Sequence, residues 1–300
     1  MNSRWWANAG LAVLIAALAL VMVFRPGKHP APVIPPLTGL AAARIVHIRL
    51  QRPGEPEIDL AKSAGHWIMT APRRARANSF RVNELLHLAT ARLATHFTAP
   101  VSRLGKYGLD RPRAVVWLNN EKISFGAQHP IDPDYYALYQ GQVYLVPDHY
   151  VNAATAPVAG FFSTSLVGTH RRLMSLRLPH LHLARRPDGS WQVTPPDSKL
   201  STDQVNTFVD DWRYAEALSV KPYSGRPVIG HIRIRFAPRT VSGLPATGHP
   251  PGAHGPQRGP VLVLGILERK PELVLYRSDE GLEYHFPADM ASQLLELKPR

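Results

Sequence analysis

The chain contains no cysteine. That excludes disulfides, thiol nucleophiles, thiolate zinc sites and a lipidated N-terminal cysteine. It is also short of acid: 22 Asp and Glu stand against 35 Lys and Arg, a formal net charge of +13 over 300 residues. Only 19% of residues are charged while 45% are hydrophobic, which is too apolar for a disordered chain and long enough for one large or two ordinary domains. Several catalytic signatures are missing. There is no G-x-S-x-G elbow, no H-E-x-x-H, and neither of the glycine loops that cradle nucleotide phosphates. What is abundant is proline, 29 residues or about a tenth of the chain, roughly twice the usual share. With 21 glycines this favours short strands and turns over a long helical bundle.

Residues 7–24, ANAGLAVLIAALALVMVF, carry no charge. As a helix they would span roughly 27 Å, close to the hydrocarbon thickness of a bilayer. Trp5 and Trp6 precede the run and Arg25 and Lys28 follow it, where headgroups would solvate them. A cleaved signal peptide is the rival, but its apolar stretch is usually shorter, and the well-placed A-x-A at Ala41 and Ala43 lies far beyond Phe24. The pattern predicts an uncleaved single-pass signal anchor in the inner (cytoplasmic) membrane. Flanking charges nearly balance; the short tail before the anchor and the long chain after it predict an extracytoplasmic bulk. Residues 25–43 form a Pro-rich linker of extended geometry, a stand-off of up to some 40 to 50 Å.

Beyond the linker the chain repeats itself. Residues 65–72 match residues 189–196 in G-x-W-x-x-T-x-P, at a constant offset, and 58–62 match 181–185 as alternating strands before a turn. A helix follows each time. Ser201 with Gln204 forms a capping box, and Val205, Phe208, Val209 and Trp212 share one helical face. In the first copy Asn78 takes the cap position, with Val82, Leu85, Leu86 and Ala89 on the corresponding face. Runs at 114–118, 122–125, 135–139 and 143–146 then match 232–236, 261–264, 275–276 and 284–287, with Gly265 set beside Gly126. The predicted fold is α+β: an N-terminal transmembrane helix (1–24, with its cytoplasmic tail), then two duplicated units of antiparallel strands, each with one covering helix, at 44–168 and 169–300. An insertion at 238–260, rich in Pro, Gly and His, is expected to be a flexible exposed loop. Trp67 and Trp191, recurring at the ends of alternating strands, are expected to plug the core.

Candidate chemistry is sparse. His180 and His182 would lie on one strand face and His249 with His254 in the insertion, but no third metal ligand is near either pair. Asp132 with Asp134, and Asp210 with Asp211, read as turn or helix-surface residues. No catalytic, cofactor or metal residues are therefore assigned. The basic cluster Arg73, Arg74 and Arg76 is the candidate contact for an anionic surface, lipid headgroups or a wall polymer. Nucleic acid is not expected, because the interleaved aromatics of an RNA-reading strand are absent.

The order strand, G-x-W, helix, then Tyr107-Gly108-Leu109-Asp110-Arg111-Pro112, an apolar strand, Phe125-Gly126 and a tyrosine-bearing hairpin resembles the bacterial domain-of-unknown-function 4340 family over residues 44–150. The second half resembles it as a degenerate copy without the Y-G-L-D-x-P segment. The resemblance implies an envelope protein anchored by one N-terminal helix, in some members beside gliding-motility-type ABC transporter components, with no catalytic residues to carry over. The resulting expectation is a membrane-tethered, non-enzymatic envelope binding or scaffold protein with a protein partner, possessing no cofactor. The alternative is an envelope enzyme acting on a cell-wall or lipid substrate.

Overall fold

The computed structural model describes residues 3–24, 34–168, 171–238 and 259–298. About half of the expected linker (25–33) and nearly all of the expected insertion (239–258) lie outside the described residues. The chain forms two compact units, 1–35 and 36–300.

The first unit is helix α1, Ser3–Phe24. Leu, Ala, Val, Ile and Met dominate it, and its interior holds no proline to break the hydrogen-bond ladder. Its described large apolar side chains are exposed. Among the described residues no helix is long and apolar enough to cross a membrane. The uncharged run 7–24 takes in Ala7, Val21, Val23 and Phe24, whose side chains are not among those described.

The second unit holds two antiparallel sheets. The first contains β1 (His47–Gln51), β2 (Ile58–Ser63), β3 (His66–Ala71), β4 (Ala75–Arg76), β5 (His96–Thr98), β6 (Ala114–Leu118), β7 (Glu121–Gln128), β8 (Tyr135–Tyr139) and β9 (Gln142–Val146). Their spatial order is β4-β3-β2-β1-β6-β7-β8-β9-β5. The second contains β10 (Leu173–Arg177), β11 (His182–Arg185), β12 (Trp191–Thr194), β13 (Ser219–Pro222), β14 (Gly230–Phe236), β15 (Val261–Glu268), β16 (Leu273–Arg277) and β17 (Leu282–Phe286), ordered β12-β11-β10-β14-β15-β16-β17-β13. Set β12, β11, β10, β14, β15, β16, β17 and β13 against β3, β2, β1, β6, β7, β8, β9 and β5 and the two orders coincide, apart from the extra edge strand β4. The α+β class and the paired antiparallel sheets agree with the expectation.

One covering helix per unit is corrected to two. The first sheet carries α2 (Ser79–Thr90) and α3 (Asp148–Ala154), which pack on each other, and the second carries α4 (Thr202–Arg213) and α5 (Ala288–Leu295), which do the same. Both added helices start after a proline, Pro147 and Pro287, which stands at the N-cap with its ψ still extended. They are too short for a periodic apolar face to announce them. The long helices follow their sequence signals. Asn78 accepts from Phe80 and Arg81 at the start of α2, and the Ser201–Gln204 capping box is complete at the start of α4. Val205, Phe208, Val209 and Trp212 are all buried, and the Trp212 indole donates to the Leu294 carbonyl of α5 at 2.8 Å. On α2 the buried set is Val82, Leu85, Leu88 and Ala89, with Leu88 in place of the half-buried Leu86. Trp67 and Trp191 are half-buried and pack against the core from its edge.

The ladders also correct one correspondence. Gly265 lies opposite His231, as Ser124 lies opposite Val115, so Gly265 matches Ser124 rather than Gly126. A slip of two residues keeps every side chain on its own face, so an apolar pattern alone does not detect it.

Candidate functional site

One face of the second sheet is covered by α4 and α5; the other carries its charge. Along β14, Ile232, Ile234 and Phe236 are buried while His231, Arg233 and Arg235 are exposed, the period-two alternation of a half-covered strand. The ladders line these up with neighbours. Arg177 of β10 lies between His182 of β11 and Arg233 of β14, and in the next row Ser175 lies between Ala184 and Arg235. Two arginines thus stand directly opposite one another with a histidine at their side.

These residues, with Arg185 and the flanking Phe236 and Val261, line an open cleft of about 610 Å³. No carboxylate lines it among the described residues, and none of Arg177, Arg185, Arg233 and Arg235 enters an ion pair there. The sequence of 239–258, which joins the cleft residues Pro238 and Gly259, contains no Asp or Glu either. Arg185 lies over the Trp191 ring at 5.8 Å, and its Nε is buried with no hydrogen-bond partner. Partial burial, then the charges of Arg177 and Arg235, hold the His182 imidazole below its ordinary pKa. Like charges opposite one another in a sheet are destabilising, so this face holds its positive field at a cost.

The first sheet fills the same row differently. Arg49 of β1 lies between Asp59 of β2 and Trp117 of β6, the positions held in the second sheet by His182 and Arg233. Arg49 Nε is 3.3 Å from Asp59 and 3.5 Å from Glu57, and the guanidinium sits 5.9 Å over Trp117. His47 adds a contact to Asp59 at 3.5 Å. The row is neutralised within the protein.

The cluster read from sequence, Arg73, Arg74 and Arg76, is divided by the fold. Arg76 turns into the junction between the sheets: its Nε donates to Glu280 at 2.7 Å and its Nη2 to the Ser165 carbonyl at 2.6 Å and the Tyr284 hydroxyl at 2.9 Å. Burial opposes its charge, but Tyr284 and Glu280 outweigh that and raise its pKa above the ordinary value. Burial likewise opposes ionisation of Glu280, yet Arg76 and Arg277 hold its carboxyl below the usual range. Tyr284 donates to Glu280 at 2.6 Å, and Arg277 donates to the Leu166 carbonyl at 2.7 Å. Arg73 and Arg74 are exposed, with Arg73 lying against Gly281. The structure therefore does not join the three arginines in one outward patch. The face on β10, β11 and β14 was missed in sequence; its signal was the alternation of Ile232 to Phe236, whose polar positions are both arginine.

Among the described residues no group of three or more His, Asp or Glu could hold a metal ion. His180 is exposed, His182 belongs to the basic row, and His249 and His254 lie outside the described residues. Asp132 sits in a bend capped by the His129 ring, whose Nδ1 accepts from the Asp132 backbone N–H at 3.2 Å and lies 3.4 Å from its carboxylate.

The Y-G-L-D-x-P segment has a structural task. Residues Val101–Tyr107 form a 3-10 helix that ends at Gly108 in the left-handed region (φ 65°). The chain then crosses β7, where a Cβ on Gly126 would lie 2.1 Å from the Tyr107 carbonyl oxygen and 3.0 Å from the Leu109 side chain. Only glycine permits that approach. Leu109 is buried beneath the crossing.

An α+β protein of two like-ordered antiparallel sheets, with this crossing in the first, is the class the structure defines. The model of a domain of unknown function, DUF4340, matches residues 67–222, just over half of the chain, and the chain belongs to that family. The match starts within β3 and ends with β13, so it reaches well into the second sheet rather than stopping near residue 150. No curated protein and no solved structure matches the chain.

Proposed function

We propose that this protein is a membrane-tethered, non-enzymatic binding or scaffold protein of the cell envelope, held in the inner membrane by α1 with its folded unit extracytoplasmic. The observation that carries this reading is the exposure of α1's apolar side chains: Leu11, Val13, Leu14, Ile15, Leu18, Leu20 and Met22 are each more than half exposed. Contiguous apolar surface on that scale signals lipid or a protein partner. At 22 residues the helix is about 33 Å long, a length that matches the thickness of the hydrocarbon core. The tryptophans Trp5 and Trp6 at its start suit an interfacial position. The exposed basic face of the second sheet supports a binding role, because it offers charge that no carboxylate among the described residues answers. The family resemblance supports a setting beside envelope transport components.

Alkaline carbonate extraction tests the tether; the protein is expected to stay with the membrane pellet, and release into the supernatant overturns it. A C-terminal alkaline phosphatase fusion is expected to be active, and an inactive fusion beside an active cytoplasmic reporter reverses the orientation. Crosslinking in native membranes is expected to capture a second protein. Recovery of the chain by itself removes the scaffold reading.

A further inference from the structure

We propose that the outer face of β10, β11 and β14 is a binding site for a soluble phosphate-bearing chain. One anionic group would be held jointly by Arg177 and Arg233, and the next by Arg235 one row along. This rests on the protein being a binding protein, and it is independent of the tether.

The fold does not require this charge. The first sheet has the same strand order and the same row, and there Arg49 is answered by Asp59 and Glu57 and covered by Trp117. In the second sheet both answering positions are basic, His182 and Arg233, and the cleft contains no carboxylate among the described residues. Guanidinium groups on directly opposed residues repel, and an anion between them turns that repulsion into paired charge-assisted hydrogen bonds.

Spacing selects the shape of the ligand. Neighbouring strands lie about 4.8 Å apart, so one phosphate can bridge Arg177 and Arg233, whose forked donors match its oxygens. Residues two apart along a strand are separated by roughly 6.6 Å, which sets Arg235 beside a later anionic group of the same chain. A lone carboxylate has too little charge for four cations. A cleft with Phe236 and Val261 at its wall admits a narrow chain better than a flat bilayer. His182, beside Arg177 and within the field of Arg235, would lose the repulsion that contributes to its lowered pKa once an anion is seated.

The test is calorimetric titration of the full chain, in micelles of uncharged detergent, with inorganic tripolyphosphate. Saturable binding is expected, weakening as salt rises from about 50 mM to about 150 mM. Arg177→Gln and Arg233→Gln are each expected to weaken it about tenfold, the loss of one charge-assisted contact, whereas Arg49→Gln changes it less than about twofold. Bound tripolyphosphate is also expected to raise the His182 pKa, followed by its ring-proton resonances. Absence of saturable binding overturns the site, and so does an Arg49→Gln loss equal to the other two, since net charge alone would then explain it. Equal affinity for citrate overturns the phosphate class. Binding to phosphatidylglycerol vesicles without binding to tripolyphosphate overturns the soluble source in favour of lipid headgroups. None of these results alters the carbonate extraction, so failure of the site and failure of the tether are distinguishable.

Discussion

Arg49 and Arg177 occupy the same place in two sheets of the same strand order, yet Arg49 is neutralised while Arg177 meets no carboxylate among the described residues. Asp59 and Trp117 bracket Arg49; His182 and Arg233 bracket Arg177. The buried sides of the two rows are alike, with Ile48 and Leu50 on β1 and Leu176 on β10 all fully covered. The comparison teaches that a shared core sets the strands while the outer row is free to differ, because those side chains pack against little and answer only to charge. A sheet can therefore keep its topology and change from an internally paired surface to one that is open to a ligand.

The largest effect is expected at the junction that holds the two sheets together. Arg76→Ala leaves Glu280, whose side chain is only 7% exposed, without its principal counter-ion, and is expected to cost about 3 kcal/mol, read by urea denaturation of the full chain. Equal stability of the variant would show that the sheets do not depend on this contact. Next comes the crossing at Gly126, which among the described residues belongs to the first sheet alone. Gly126→Ala forces a methyl group against the Tyr107 carbonyl and is expected to cost about 1–3 kcal/mol, whereas Gly265→Ala meets side chains alone, the Val228 methyls at 3.0 and 3.1 Å and the Tyr276 ring at 3.5 Å, and is expected to cost less. Comparable losses at both glycines would remove the asymmetry.

A smaller effect concerns pH. Glu280 is held below its ordinary value of 4.5, so the unfolded chain takes up its proton first as pH falls. Its contribution is complete above 4.5 and is lost as pH drops through the folded value. Thermal melts of the protein and of Glu280→Gln are expected to show a shallower acid loss in the variant, and parallel curves would place the acid sensitivity elsewhere. The smallest effect sharpens the comparison directly. His182→Asp gives Arg177 the partner that Arg49 already has, and is expected to add about 0.2–1 kcal/mol of stability while abolishing tripolyphosphate binding. The reciprocal Asp59→His is expected to lower stability by a similar amount.

Much of the scaffold was legible in the residues. The capping box at Ser201 and the face Val205, Phe208, Val209 and Trp212 are local patterns, and each occurs as its spacing requires. The strands at 114–118, 135–139 and 232–236 are equally plain, since burial on one side imposes alternation. The short helices α3 and α5 were not, because seven or eight residues hold too few turns to display a period. The candidate site was the least legible. Arg73, Arg74 and Arg76 are adjacent in sequence, but Arg76 is taken by Glu280 across the junction. Arg177 and Arg233, far apart in sequence, meet only through the β10–β14 ladder.

The amino-acid order by itself determined the apolar N-terminal run, the α+β class, the repeated strand-and-helix plan and an excess of positive charge, because each depends on composition or on periods shorter than one element. Only the tertiary structure decided which arginines are spent and which are left open. Pairing of charges depends on what the strand ladders bring within a few ångströms, and that is a property of the folded sheets rather than of neighbouring residues.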